Sequence, residues 1–424
     1  MVRSDGDSYL VCLWSKAAAH EWLTQVLSME NFEFHRPTSY YFGMGRENEI
    51  GSIVKDLDKH KVLLVYGGNS CIKSGLLERV QKSLSSAGVA VVSKGGVVPN
   101  PRADLVYELI DLGRKEQVDF VVAVGGGSAI DTAKAAALGI VNDGDFFDFF
   151  LKKRQPKDCL EIGVVLTIPA AGSEGSSSAV IQKEIDGHFY KCGLSSNFFV
   201  PTFAVMNPEL TKTLPAYQTA CGTVDMMAHV MERYFTNTPE VSITDRLCEA
   251  VLTSIIETVP RVLRDPDNYE VRANVMWAGT LAHNDTCGVG REQDWATHAL
   301  EHQLSALYDI AHGAGLAVMF PAWMEYTMPH NPMRFAQFAT RVFGLSMDFE
   351  DPKRTAKAGI AALRSFFKSI GMPLNFADIG AKEEDIPQML KLLGVDSERT
   401  IGHFVPLNRD ACEAIYKIAA QYSY

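Results

Sequence analysis

The stretch Phe120-Val121-Val122-Ala123-Val124-Gly125-Gly126-Gly127-Ser128-Ala129-Ile130-Asp131-Thr132-Ala133-Lys134 changes character at its glycines. The run before them is apolar without polar alternation, the pattern of a strand buried on both faces. A helix is predicted after them. Glycines at such a junction let the backbone approach a pyrophosphate, and the helix's first amides can receive its charge. A tight turn without a ligand fits the same residues, so the motif alone leaves both readings open.

Further strand-like runs flank this one: Val62–Tyr66 ending in Gly67-Gly68, Val89–Val92, and Gly163–Ile168, separated by amphipathic segments. That alternation predicts a mainly parallel sheet covered on both faces, with ligands beyond the carboxyl ends of its strands. From Ala216 to Tyr424 the pattern is helical, with breaks predicted at Pro260, Pro321, Pro329 and Pro373. The predicted fold class is therefore an α/β, Rossmann-like parallel-sheet domain over 29–212, followed by an all-α domain over 213–424, with a cleft between them. Residues 1–28 lack a basic n-region followed by an apolar h-region and are predicted to lie outside the fold.

The chain has 424 residues, 47% hydrophobic, enough to bury more than one core. A net charge of −11 speaks against nucleic acid or an anionic membrane as partner. No apolar run reaches the length of a membrane span. The eight cysteines are scattered and form no C-x-x-C pair, which predicts reduced thiols in a cytoplasmic protein.

Two short segments gather histidines. Asp225 and His229 are four apart, as are His298 and His302, and His312 follows ten residues later where a new helix is predicted. Four-residue spacing puts two side chains on one helix face. A carboxylate with imidazoles would suit Fe²⁺ or Zn²⁺ rather than Mg²⁺ or Ca²⁺. Ordinary core histidines would show the same spacing, and spacing does not choose between these.

The glycine motif, Gly172-Ser173-Glu174, Pro99-Asn100-Pro101-Arg102 and the two histidine segments together resemble the iron-containing alcohol dehydrogenase family. The likeness runs from about Phe32 to the C-terminus. Tyr66-Gly67-Gly68-Asn69-Ser70 and Gln293-Asp294-Trp295-Ala296-Thr297-His298 are most similar to its NADPH-dependent butanol dehydrogenase and aldehyde reductase branch. The resemblance implies a dehydroquinate synthase-like fold, a homodimer, and metal ligands at Asp225, His229, His298 and His312. It implies that His302 lies near the nicotinamide without ligating, and it places Gly126, Gly127, Ser128, Asn100, Thr167 and Lys191 along the cofactor, with Asp131 nearby. Ser176 and Asn69 depart from the family's usual residues.

The turn Gly67-Gly68-Asn69-Ser70-Cys71-Ile72-Lys73 contains no acid to hydrogen-bond a ribose 2′-hydroxyl or repel a 2′-phosphate, which favours NADP(H). Gly67 and Gly68 leave room, and Ser70 and Lys73 could meet phosphate oxygens. The expected activity is hydride transfer between NADP(H) and a small aldehyde or alcohol, with His302 relaying a proton because imidazoles titrate near neutrality. Phe146-Phe147-Asp148-Phe149-Phe150 and Trp295 are candidate apolar walls, although such an aromatic cluster is more often plain core. Two other functions share these features. A dehydroquinate synthase-type lyase using NAD and a metal would need more basic residues than Arg233, Arg246 and Arg291. A non-catalytic nucleotide-binding relative would have no reason to keep all four ligand candidates.

Overall fold

The structure, a computed structural model, describes residues 29–423, so the 1–28 segment lies outside the described residues. Among the described residues eight strands occur in the order β1 (Ser39–Phe42), β2 (Lys61–Tyr66), β3 (Ala90–Lys94), β4 (Phe120–Gly125), β5 (Ile162–Leu166), β6 (Ser178–Ile185), β7 (His188–Ser195) and β8 (Phe203–Met206). Six of them build one sheet in the order β1-β8-β5-β4-β2-β3. Every neighbouring pair in it is parallel. β6 and β7 form a separate antiparallel hairpin, with Gln182 opposite Lys191.

Both sheet faces are apolar, which explains the unalternating strand sequences. Leu63, Val65, Val121, Ala123 and Val164 meet Leu109 of α4 (Ala103–Glu116) and Ile130 and Ala133 of α5 (Gly127–Val141). Val62, Leu64, Val122, Val124 and Val165 meet the other face's cover: Ile50 of α1 (Ile50–Asp56) and Leu77 and Val80 of α3 (Leu76–Ser86). Short α2 (Asn69–Lys73) closes the turn after β2. In α6 (Phe147–Phe150) the aromatic rings are core: Phe146, Phe147, Phe149 and Phe150 pack with Phe199 and Ile181 under the hairpin.

The second half is helical, beginning with α7 (Ala216–Tyr234), α8 (Ser242–Arg264), α9 (Tyr269–His283), α10 (Ala296–Tyr308) and α11 (His312–Thr327). Four more follow: α12 (Pro332–Phe343), α13 (Pro352–Ser369), α14 (Ile386–Leu393) and α15 (Arg409–Gln421). Two predicted breaks do not occur. Pro260 lies inside α8 and Pro321 inside α11. A proline removes one donor and crowds the preceding turn. Burial of Pro321 among Phe320, Ala322 and Trp323 in the helical core holds α11 together regardless. Pro329 falls in a 3-10 turn, Met328–His330, that ends α11, and Pro373 falls between α13 and α14.

Among the described residues no helix is long and apolar enough to cross a membrane, and the cysteines are all free thiols. A Cβ on Gly163, central in the sheet, would run into the Phe203 ring. Gly163→Val is therefore expected to lower unfolding free energy by about 1–3 kcal/mol, read as a shifted urea midpoint with unchanged slope.

Candidate metal and nicotinamide site

α7 is buried almost throughout and carries Asp225 and His229 one turn apart. His298 lies in the first turn of α10, and His312 opens α11. Asp225, His229 and His298 each offer a donor atom, all within 4.8 Å of one another. Asp225 Oδ1 is 3.6 Å from His229 Nδ1 and 3.9 Å from His312 Nε2. The His298 and His312 ring centroids are 5.3 Å apart. Asp225, His229 and His298 thus converge with His312 beside them, and His312 also lies within 4.8 Å of donor atoms on Glu301 and His302. His302 stands to one side, its ring centroid 5.5 Å from that of His312 and 6.5 Å from that of His298.

Asp225 Oδ1, His229 Nδ1 and His298 Nε2 are buried without a hydrogen-bond partner. Buried polar atoms are normally satisfied, so three orphans facing one point fit an ion. Neighbouring carboxylates orient the rings. His298 Nδ1 donates to Glu232 Oε1 at 2.8 Å, and His312 Nδ1 donates to Glu301 Oε2. Each ring's Nε2 lone pair is then left for the cluster, the carboxylate–histidine arrangement common around metals. Thr297 and the His298 amide also donate to Glu232, and Ser305 donates to Glu301.

Burial raises the Asp225 carboxyl pKa, with the His312 and His298 charges opposing. Burial pushes His229 well below 6.5, helped by His283 and His298, so its ring is neutral and can offer a lone pair. Burial raises Glu301 too, yet His312, Lys191 and its hydrogen bonds bring it below the usual carboxylate value. His302 is pushed well below 6.5 by burial, then by Lys191 and His312. The ring is thus held toward its neutral form, in which one nitrogen can accept a proton while the other donates.

A cleft of about 1000 Å³ runs from this cluster to the carboxyl ends of β2, β4 and β5. Gly67, Gly68 and Ser70 line it after β2, and Gly126, Gly127 and Ser128 after β4. Thr167 after β5, Asn100, Asp131 and Lys191 complete the predicted set, and all four also line it. A Cβ on Gly126 would come within 2.9 Å of Ile168, whereas one on Gly68 would meet nothing within 4 Å. The backbone is thus bare toward the cleft at Gly68, while Gly126 is packed closely against Ile168. Asp131 is committed to the protein: it accepts from Ser173 Oγ at 2.6 Å and the Val180 amide at 2.9 Å. Lys191 is no surface lysine; its side chain is 6% exposed and lies 3.8 Å from Glu301. Lys73 is exposed at the end of α2, outside the cleft.

Several residues here went unread in the sequence. Glu232 and Glu301 are two. His283 is a third: its ring stacks on His229 with centroids 4.0 Å apart. Arg233 can only donate, so His283 Nδ1 accepts from it at 3.1 Å, and Nε2–H donates to Ser178 Oγ at 2.9 Å. Lys134 is the fourth. Fully buried in α5, it donates to the carbonyls of Ser173, Ser176 and Ser178, all of them cleft-lining residues.

A parallel sheet with bare glycine turns facing an Asp–His cluster on helices defines a two-domain protein of dehydroquinate synthase-like fold. The model of the iron-containing alcohol dehydrogenases matches residues 37–208, and that of the family's C-terminal region matches 219–420. The chain belongs to the iron-containing alcohol dehydrogenase family and is an oxidoreductase of the alcohol dehydrogenase class. It is 41% identical over 390 residues to a probable NADH-dependent butanol dehydrogenase of Bacillus subtilis, covering 92% of this chain and 99% of that one. It is 36% identical over 395 residues to the NADPH-dependent aldehyde reductase YqhD of Escherichia coli, covering 92% and 100%. The crystal structure of NADH-dependent butanol dehydrogenase A from Thermotoga maritima superposes with a TM-score of 0.89 at 40% identity, covering 93% and 100%.

Burial lowers the Lys134 pKa to about 8, and three carbonyls need the three donors of its ammonium. Lys134→Met strands those acceptors and is expected to lower unfolding free energy by about 2–5 kcal/mol, measured by urea denaturation.

Proposed function

We propose that the chain is a metal-dependent NADP(H) alcohol dehydrogenase and aldehyde reductase acting on small aliphatic substrates of the butanol type. The observation that carries this reading is the set of orphaned buried donors on Asp225, His229 and His298, beside His312, in the same cleft as the Gly126–Ser128 turn. Asp225, His229, His298 and His312 would hold Fe²⁺ or Zn²⁺. When bound, the cation supplies Lewis acidity toward a substrate oxygen, and the nicotinamide gives or takes the hydride.

The chain's own residues do the rest. Gly126, Gly127 and Ser128 present backbone amides at the start of α5 to a pyrophosphate. Gly67, Gly68 and Ser70 leave uncharged, open space where a 2′-phosphate would lie, which supports NADP(H). The relatives' names include both nicotinamides, so the turn and not the kinship carries this choice. Asn100, Thr167 and Lys191 line the remaining cofactor wall. His302, half-buried in the cleft, is the residue proposed to pass a proton between substrate and solvent. A cytoplasmic homodimer completes the reading, supported by the free thiols and by the family likeness.

Protein loaded with Fe²⁺ or Zn²⁺ is expected to oxidise NADPH in the presence of propanal or butanal, with a higher kcat/KM for NADPH than for NADH. No oxidation of either cofactor across an aldehyde panel would refute the activity, and a preference for NADH would refute the cofactor choice. Glu232→Gln weakens the acceptor for His298 and is expected to reduce metal affinity about 10–100-fold, read by competition with a chelator. His302→Ala is expected to lower kcat about 10²-fold or more while leaving metal content intact; an unchanged pH–rate profile and turnover would remove His302 from proton transfer.

A further inference from the structure

Trp295 stands immediately before α10 with φ 63° and ψ 10°, a left-handed backbone that a bulky side chain rarely adopts. Such strain persists only where the surroundings impose it, and it clusters at functional sites. Here the surroundings are explicit. Indole Nε1–H donates to Gln293 Oε1 at 3.1 Å, Gln293 Nε2 donates to Asp285 Oδ1 at 3.1 Å, and Asp285 pairs with Arg36 at 2.6 Å. The Arg233 guanidinium lies over the ring, 4.8 Å from its centroid. One side chain is thus locked in orientation by a chain of polar contacts that reaches the cleft's edge.

The indole is locked against two of the proposed ligand imidazoles and the His283 ring stacked on them. His283, His229 and His298 form a stack with centroid spacings of 4.0 and 4.9 Å. Trp295 meets all three from the side, at 5.7, 5.8 and 5.1 Å respectively. It is half-buried, and its remaining surface lines the cleft.

The geometry points to Trp295 as the residue that sets how long a substrate the enzyme accepts, with short unbranched aldehydes and alcohols as the class admitted. The inference rests on the proposed aldehyde reductase reading. A substrate oxygen that reaches the donors of Asp225, His229 and His298 brings its carbon chain into the space this indole bounds. Gln293 acts as a positioning residue, because it fixes the plane of the ring.

The test compares wild type with Trp295→Phe, Trp295→Leu, Trp295→Ala and Gln293→Ala, each loaded with Zn²⁺ and checked for metal content. Two series are measured: kcat/KM for linear aldehydes from propanal to octanal, and calorimetric affinity for the matching unreactive carboxamides in the presence of oxidised cofactor. Trp295→Leu and Trp295→Ala are expected to raise the octanal-to-butanal ratio of kcat/KM about tenfold or more, mainly through KM. The octanamide-to-butanamide affinity ratio should move with it. Trp295→Phe should keep the wild-type order, and Gln293→Ala should shift it in the same direction by less. Unchanged ratios in both truncations with metal retained would overturn the inference. So would loss of metal with an equal fall for every chain length, which would make the indole a brace for the ligands. A wild-type protein that oxidises no cofactor with any aldehyde would refute the activity, and the carboxamide series would still decide the role of Trp295.

Discussion

A carboxylate oxygen without a hydrogen-bond partner, Asp225 Oδ1, lies buried against three imidazole rings, and the arrangement around it depends on that imbalance. Burying a charged oxygen unpaired is costly, so the surroundings must offer a compensating positive centre. The rings do not supply it as hydrogen-bond donors. Glu232 and Glu301 take the Nδ1 protons of His298 and His312, and burial keeps His229 neutral. The Nε2 lone pairs of His298 and His312 are thus left free, and the neutral His229 ring has one lone pair to offer. A cation held by these side chains, as proposed above, would satisfy them together.

Holding that cluster beside the glycine turns requires the two domains to meet with matched polar surfaces. Asn100 and Arg102, from the sheet side, donate to Asp309 at the end of α10. Lys191 of β7 approaches Glu301, which itself orients His312. His283 of α9, stacked on His229, donates to Ser178 at the start of β6. Hairpin and helices thus share contacts one residue away from the donor atoms. The helical wall and the sheet-side wall of the cleft are hydrogen-bonded to each other.

The central strands were readable because their apolar runs are long and unalternating, and the donor histidines because helical spacing is periodic. The edge strand β1 and its neighbour β8 are four residues each and carry too little pattern to stand out. The β6–β7 hairpin has one polar side along the cleft, so its sequence reads as loop. Pro260 and Pro321 signalled breaks that tertiary packing overrides. Glu232, Glu301 and Lys134 were missed for a shared reason: charged residues in helices read as solvated faces, and only the folded structure shows them to be fully buried. His283 had no partner at helical spacing to draw attention to it.

X-ray absorption at the metal edge of the loaded protein tests the central claim most directly. The account predicts one ion per chain with four light scatterers at about 2.0–2.2 Å, and multiple-scattering features of three imidazoles. A spectrum fitted by fewer than two imidazoles, or by a sulfur shell near about 2.3 Å, would contradict it.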